Sequence, residues 1–148
     1  MSTISIRNAG EKDFSELIKL FKEFAIFEEC EDKMINSVAQ MNAEKHYFNG
    51  FVAHANDDTI IGYATYFFSY HTWVGKSLYM DDLFVKEAFR KNGVGKRLID
   101  AVIQLAKEEN CNRVRRQVSN WNKNAQEFYK KIGANISDVE LNCDLILK

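Results

Sequence analysis

The stretch Phe89 to Leu98, FRKNGVGKRL, sets Gly93 and Gly95 among Arg90, Lys91, Lys96 and Arg97. Glycine weakens a helix, yet both stand where an apolar run gives way to a helical one. The first amides of a helix point outward without partners and carry partial positive charge. Glycines let an anion come close to such amides, and basic side chains add attraction. These residue types suit a phosphate or pyrophosphate. A tight strand-to-helix turn with solvated basic side chains accounts for the same residues equally well. The Walker pattern fails, because Arg90 stands at its first glycine and Arg97 at its Ser/Thr position. The dinucleotide fingerprint fails at Leu98, where its third glycine would be. What remains is Arg-x-x-Gly-x-Gly.

The rest of the composition makes this a local patch. The chain has 148 residues, 46% hydrophobic and 28% charged, with a formal net charge of -1. That is enough for one domain with a core, spanning residues 1–148. A nucleic-acid-binding protein would show a basic excess, so no such partner is expected. No apolar run reaches the length of a membrane span, and the first residues lack the apolar core of a signal peptide. Cys30, Cys111 and Cys143 are odd in number and far apart, with no C-x-x-C. His46, His54 and His71 have no metal-ligand spacing. The expectation is a reduced, cytoplasmic chain without a metal or a membrane partner.

The elements around the glycine segment follow from periodicity. TISIRNA alternates like a first strand. Phe14, Leu17, Ile18, Phe21 and Ala25 recur at helical spacing, and a weaker helical stretch covers Ser37 to Tyr47. GFVAHA and TIIGYATYFFSY read as strands joined by an Asn56–Asp58 turn, and Ser77 to Val85 as a third. Leu98, Ala101, Val102, Leu105 and Ala106 stripe a helix that begins at Val94. RVRRQVS is a predicted strand, NKNAQEFYKKIG a helix capped by Gly133, and DVELNCDLIL a last strand. This order predicts an α/β fold with a mixed central sheet and helices on both faces.

At this point LYMDDLFVKEAFRKNGVGKRLI resembles the acetyl-CoA-binding motif of the GNAT N-acetyltransferase superfamily, Arg/Gln-x-x-Gly-x-Gly/Ala. FKEFAIFEE, SYHTWVGKSLYMDDLFV and VSNWNKNAQEFYKKIGA extend the resemblance to the diamine (spermidine/spermine) and thialysine acetyltransferase branch. The resemblance implies a GNAT-like fold in which the motif strand splays from its neighbour and acetyl-CoA lies in the gap. It implies that the backbone of Leu83, Phe84 and Val85 binds the pantetheine arm. The loop of Arg90, Lys91, Asn92, Gly93, Val94, Gly95 and Lys96 would hold the pyrophosphate. Asn122, Lys123 and Asn124 match a second coenzyme segment.

Acetyl transfer needs a neutral amine, a stabilised acyl oxygen and a protonated leaving thiolate. An alkylamine of pKa near ~10.4 is neutral about once in a few thousand molecules at pH 7, which costs roughly 4–5 kcal/mol unless a base helps. Asp81 and Asp82 are the candidates. As strand neighbours they should face opposite ways, one into the cleft and one structuring it. By resemblance Asp81 aligns with a Glu acting as base, through a water because Asp is shorter, and Asp82 with a substrate-binding Asp. Tyr129 matches the general acid, and the N–H of Leu83 would meet the acyl oxygen. Glu28 matches an acidic substrate contact, with Glu29, Glu31 and Asp32 adding charge, and Trp73 matches an aromatic that lies against the amine. The bland alternatives are capping carboxylates, packing aromatics and a solvated acidic loop.

Departures bear on specificity. His71 stands for an Asp and Ile26 for a Lys of the spermine-type enzymes, Lys91 for a loop glycine, and Arg115 and Arg116 for apolar strand residues. Arg116 should share a face with Val114 and Val118 and meet an acidic partner, a subunit or the substrate. The expected activity is acetyl transfer to a small primary amine: a diamine, polyamine or lysine-like amine. The alternatives are a protein-lysine or peptide N-terminal acetyltransferase and an acetyl-CoA-binding module without turnover. The resemblance also implies a homodimer.

Overall fold

The computed structural model of the chain describes residues 3–148. They fall into two compact units, Met1–Arg116 and Gln117–Lys148.

The first unit is built on a five-stranded sheet in the order β1-β2-β3-β4-β5. The strands are β1 (Ser5–Asn8), β2 (Asn49–His54), β3 (Ile60–His71), β4 (Gly75–Val85) and β5 (Arg113–Arg115). The first four pair antiparallel in chain order, and β5 joins parallel to β4. The expected mixed sheet is thus present. Helix α1 (Phe14–Phe27) and the short α2 (Val38–Ala43) lie on one face, and α3 (Val94–Glu108) covers the other.

Periodicity explains both layers. Phe14, Leu17, Ile18 and Leu20 of α1 are buried with Met41, Val52, Ile60, Tyr63 and Phe84. Phe21 meets Tyr63 edge-on at 5.0 Å between centroids, and Phe24 stacks on Phe84 at 5.4 Å. On α3 the stripe Val94, Leu98, Ile99, Val102 and Ala106 is buried, each full-sized side chain contributing about 1.5–3 kcal/mol. Close approach of α3 and β4 needs Gly62: a Cβ there would lie 2.8 Å from the Phe84 carbonyl and 3.4 Å from Leu98.

The α1 layer is pinned at its start by one ion pair. Arg7 of β1 donates to both oxygens of Asp13, at 2.8 and 2.9 Å, and the Gly10 N–H donates to the same carboxylate at 2.9 Å. Asp13 is 4% exposed. The hydrogen bond from Arg7 holds its carboxyl below the usual range, against the opposing effect of burial.

In the second unit α4 (Lys123–Lys131) is capped by Asn122, whose side chain accepts from the Ala125 N–H at 3.2 Å. Gly133 follows it at φ 96, the left-handed geometry expected of a helix stop. Two expectations fail around it. The strand predicted over RVRRQVS shrinks to Arg113–Arg115, and DVELNCDLIL forms no strand. Val139, Leu141, Leu145 and Leu147 alternate as a half-buried strand would, but all are exposed. Alternation supplies an apolar face only, and a strand also needs a neighbour for its N–H and C=O groups. Among the described residues, no helix is long and apolar enough to cross a membrane.

Replacing Asp13 by Asn should cost about 2–3 kcal/mol, the loss of charge-assisted bonds at a buried carboxylate. Because the folded pKa of Asp13 is lowered, its contribution is present above the ordinary carboxylate range and is lost as pH falls through the folded value. Denaturant melts at pH 7 and below pH 3 check this: the gap between wild type and Asp13→Asn should close in acid.

Candidate active site

The site starts from a miscount between two strands. Ala64 pairs with Leu83, but Tyr66 pairs with Met80. Two steps along β3 therefore match three along β4, and Asp81 and Asp82 together oppose Thr65. This is a β-bulge, which leaves one residue unpaired and re-aims its side chains. The Thr65 hydroxyl accepts from the Asp82 N–H at 3.1 Å.

The bulge overturns the expected alternation. Asp81 and Asp82 do not face opposite sides: both line one cleft of ≈ 540 Å³ on the α1 face of the sheet, with Thr65 between β3 and β4. Glu28 and Cys30 from the end of α1, Lys33 and Met34 beyond it, and Met41, Glu44, Tyr47 and Phe48 complete the wall with Phe21 and Phe24.

The carboxylates in this cleft are hard to ionise. Burial pushes Asp82 up to about 7, helped by the charges of Asp81 and Glu28 and opposed by Arg116. Asp81, nearer solvent, is raised less strongly by its surroundings, again with Arg116 opposing. Arg116 lies past the end of β5, and the contact it makes here is to a backbone oxygen. Its Nη2 is 3.5 Å from the Asp81 carbonyl. Among the described residues the buried Tyr63 hydroxyl has no hydrogen-bond partner, and burial and the two aspartates raise its pKa.

The edge of β4 is open at the same level. Pairing with β5 runs from Ser77 to Tyr79 and stops, while β4 continues to Val85. The N–H groups of Asp82 and Lys86 point to β3. By strand alternation those of Leu83 and Val85 point to the open edge. This is the splayed geometry expected, with two free donors where a chain could add.

At the end of β4 the chain turns into α3 through the glycine loop. Gly93 has φ 77 and Lys91 φ 66. The left-handed region costs a non-glycine residue about 1–2 kcal/mol, so Lys91 occupies a position built for glycine. The Arg97 N–H bonds to Gly93, and the amides of Val94, Gly95 and Lys96 before it have no helical acceptor. Most of the basic side chains are engaged elsewhere. Arg90 Nε donates to the Val85 carbonyl at 2.7 Å, with its guanidinium over Phe27 and Phe84. Lys96 pairs with Asp100 at 2.8 Å, and Arg97 donates to the Ile4 carbonyl at 2.7 Å. An anion here would meet mainly backbone.

Other expected residues lie elsewhere. Trp73 is at the tip of the β3–β4 hairpin, 97% exposed and outside the cleft lining. His71 ends β3, and Ile26 lines a second surface hollow with Glu29, Glu31 and Asp32. So only Glu28 of the acidic run reaches the cleft. Asn122, Lys123, Asn124 and Tyr129 belong to the second unit, where Tyr129 is buried edge-on to Phe128 at 5.2 Å. Sequence reasoning passed over Thr65, Lys33 and Glu44. Counting pairs back from the hairpin turn would have found Thr65; Lys33 and Glu44 carry no signal outside the folded cleft. Among the described residues no group of His, Cys, Asp and Glu is placed to hold a metal ion.

Comparison with known proteins agrees with this geometry. Residues 13–134 match the acetyltransferase (GNAT) family. The thialysine N-epsilon-acetyltransferase of Bos taurus is 32% identical over 145 residues, 90% of this chain and 85% of that protein. The human spermidine/spermine N(1)-acetyltransferase-like protein 1 is 30% identical over 144 residues, 90% of this chain but 21% of that one. An aminoglycoside acetyltransferase from an uncultured soil metagenomic sample superposes with a TM-score of 0.80 at 23% identity, over 98% of this chain and 97% of that one.

The raised pKa of Asp82 has a stability consequence. Its folded form holds a proton that the unfolded chain has released, so stability falls as pH rises from about 4 to about 7 and the penalty persists above. Asp82→Asn removes that penalty. Thermal melts should show the variant more stable than wild type at pH 8, with the difference gone at pH 4.

Proposed function

The chain belongs to the acetyltransferase (GNAT) family and is an N-acetyltransferase of small-molecule amines, and we propose that its acceptor amine reacts in the cleft of Asp81 and Asp82. The observation that carries this is the bulge opposite Thr65, which turns two desolvated carboxylates onto the face beside the open edge of β4.

The chain offers a fit for acetyl-CoA as co-substrate. Free amides at the start of α3 suit a pyrophosphate, and the open edge of β4 suits an extended amide-bearing arm. Leu83, Phe84, Val85 and the loop from Arg90 to Lys96 would hold it; for Asn122, Lys123 and Asn124 of the second unit a coenzyme role is what the family resemblance alone implies. When bound, acetyl-CoA supplies an acyl group activated as a thioester.

The remaining steps fall to side chains and amides. Asp81 and Asp82, with Glu28, receive the amine as a cation. Asp82, poised near neutral pH, then takes its proton directly or through water; this exchanges the roles that the family resemblance gives to the pair. Neutralising an alkylamine beforehand costs roughly 4–5 kcal/mol at pH 7; an acceptor held against the nitrogen lets the proton leave as the C–N bond forms. The Leu83 N–H is aimed at the open edge and meets the charge that develops on the acyl oxygen. The family resemblance assigns to Tyr129 the proton that the leaving thiolate needs.

Incubation with acetyl-CoA and a mixed panel of amines and peptides tests the reading by mass. Acetylated small amines are the expected product; acetylation of peptides alone would move the acceptor to proteins, and coenzyme binding without product would remove catalysis. Tyr129→Phe should keep coenzyme affinity and lose roughly 10²-fold in kcat. Asp82→Asn should abolish the rise of kcat/KM near pH 7, whereas an unchanged profile would return the base to Asp81.

A further inference from the structure

We propose that Tyr63 is a positioning residue of the acceptor site, whose buried hydroxyl pairs with the Asp82 carboxylate and aims it at the amine. The inference rests on the reading that the acceptor amine reacts beside Asp82.

Tyr63 belongs to β3 and packs in the core beneath α1. Phe21 meets its ring edge-on at 5.0 Å, and Phe84 lies tilted to it at 6.0 Å between centroids. The residue is 0% exposed. For that packing phenylalanine would serve as well, because the ring does all the filling. The oxygen adds a cost, since a buried hydroxyl has given up its water and needs a hydrogen bond in exchange. Among the described residues the Tyr63 hydroxyl has none. Each such group calls for an explanation in what it meets when the protein works.

Strand register narrows the choice of partner. Tyr63 pairs with Phe84 and Ala64 with Leu83. Thr65 is the next residue of β3 on the Tyr63 face, and its hydroxyl accepts from the Asp82 N–H at 3.1 Å. Tyr63 and Asp82 are therefore diagonal neighbours on one face of adjacent strands, a separation that an aromatic side chain spans. Besides burial, the charge of Asp82 and then that of Asp81 bear on the tyrosine hydroxyl. Phe21 and Phe84, packed on the ring, offer no acceptor. Thr65 fixes the main chain of Asp82, while the carboxylate can still turn about its side-chain bonds. A turn toward Tyr63 satisfies the hydroxyl and fixes the carboxylate together.

A phenol suits a group that gains and loses a proton. Its O–H donates to a carboxylate or to the C=O of a carboxylic acid, and its oxygen accepts from the acid's O–H. One partner thus holds Asp82 before and after proton uptake, whereas a guanidinium such as that of Arg116 only donates. With one carboxyl oxygen on Tyr63, the other faces the amine. The proton passes from the amine nitrogen to that second oxygen, and Tyr63 keeps its own.

A bond donated to the ionised form favours it, so loss of the hydroxyl makes Asp82 hold its proton more tightly. Asp81 and Tyr79 on β4, Glu28 and Cys30 after α1, Arg116 beyond β5, and Lys33, Glu44 and Tyr47 around the cleft also bear on this group. All of them stay in Tyr63→Phe, which deletes one oxygen.

The test therefore compares Tyr63→Phe with wild type. At pH 7 kcat should fall roughly tenfold with KM for acetyl-CoA unchanged, and the rise of kcat/KM with pH should move up by about one unit. Carbon-13 NMR of the Asp82 carboxyl reads the pairing without turnover: its titration midpoint should rise by about one unit in the variant. Thermal melts should show the variant folded but less stable, with a larger gap at pH 8 than at pH 4. An unmoved carboxyl midpoint, or a variant that melts above wild type at both pH values, would show an unpaired hydroxyl and overturn the proposal. A shifted midpoint with an unchanged pH profile of kcat/KM would keep the pairing and sink the reading of Asp82 as the base.

Discussion

A strand that carries one residue more than its partner cannot keep both faces in step. In β4 the surplus falls at Asp81-Asp82 against Thr65, and much of the site follows from it. Before the bulge, Met80 shares a face with Tyr66; after it, Leu83 shares that face with Ala64. The strand changes phase, so Phe84 enters the α1 core and Val85 turns to α3. Between the two phases both carboxylates emerge on one side. The same stretch of β4 has lost β5 as a neighbour, which leaves the Leu83 and Val85 amides free next to the carboxylates. Desolvated carboxylates and an open-edge backbone donor thereby come from adjacent residues of one backbone segment.

The electrostatics show the cost of that placement. Two aspartates in a partly buried cleft resist ionisation, and Arg116 offsets this only in part. A site that needed permanent negative charge would gain from a closer cation. One that must take up and release a proton near neutrality gains from the mismatch, since a base works best with a pKa close to the ambient pH. Stability is given up at Asp82, and the Arg7–Asp13 pair, where burial is matched by full hydrogen bonding, supports the sheet from the other end of α1.

The glycine loop divides its work in a way its composition conceals. Arg90 ties the loop to the end of β4, Arg97 ties α3 to the chain at Ile4, and Lys96 is held on its own helix. These contacts fix the orientation of the helix start. Attraction for an anion is left to amides that have no other partner and to the field at the head of α3.

The elements that periodicity defines were readable residue by residue. The α1 and α3 stripes, the β2–β3–β4 run and the Gly93 turn all depend on local pattern, and each is where the pattern puts it. So was the family that the motif around Arg90–Gly95 resembles. The strand at DVELNCDLIL was not, because alternation does not provide a pairing partner. Nor was the side on which Asp81 and Asp82 stand, because a bulge is a property of two strands in register and no single strand encodes it. The sequence by itself determined which residue types are available: paired acids, a glycine turn and a lysine in an acidic loop. Only the tertiary structure decided that both acids share one cleft with Lys33 while Glu29, Glu31 and Asp32 are turned away. Direction in space comes from backbone hydrogen bonds between segments far apart in the chain.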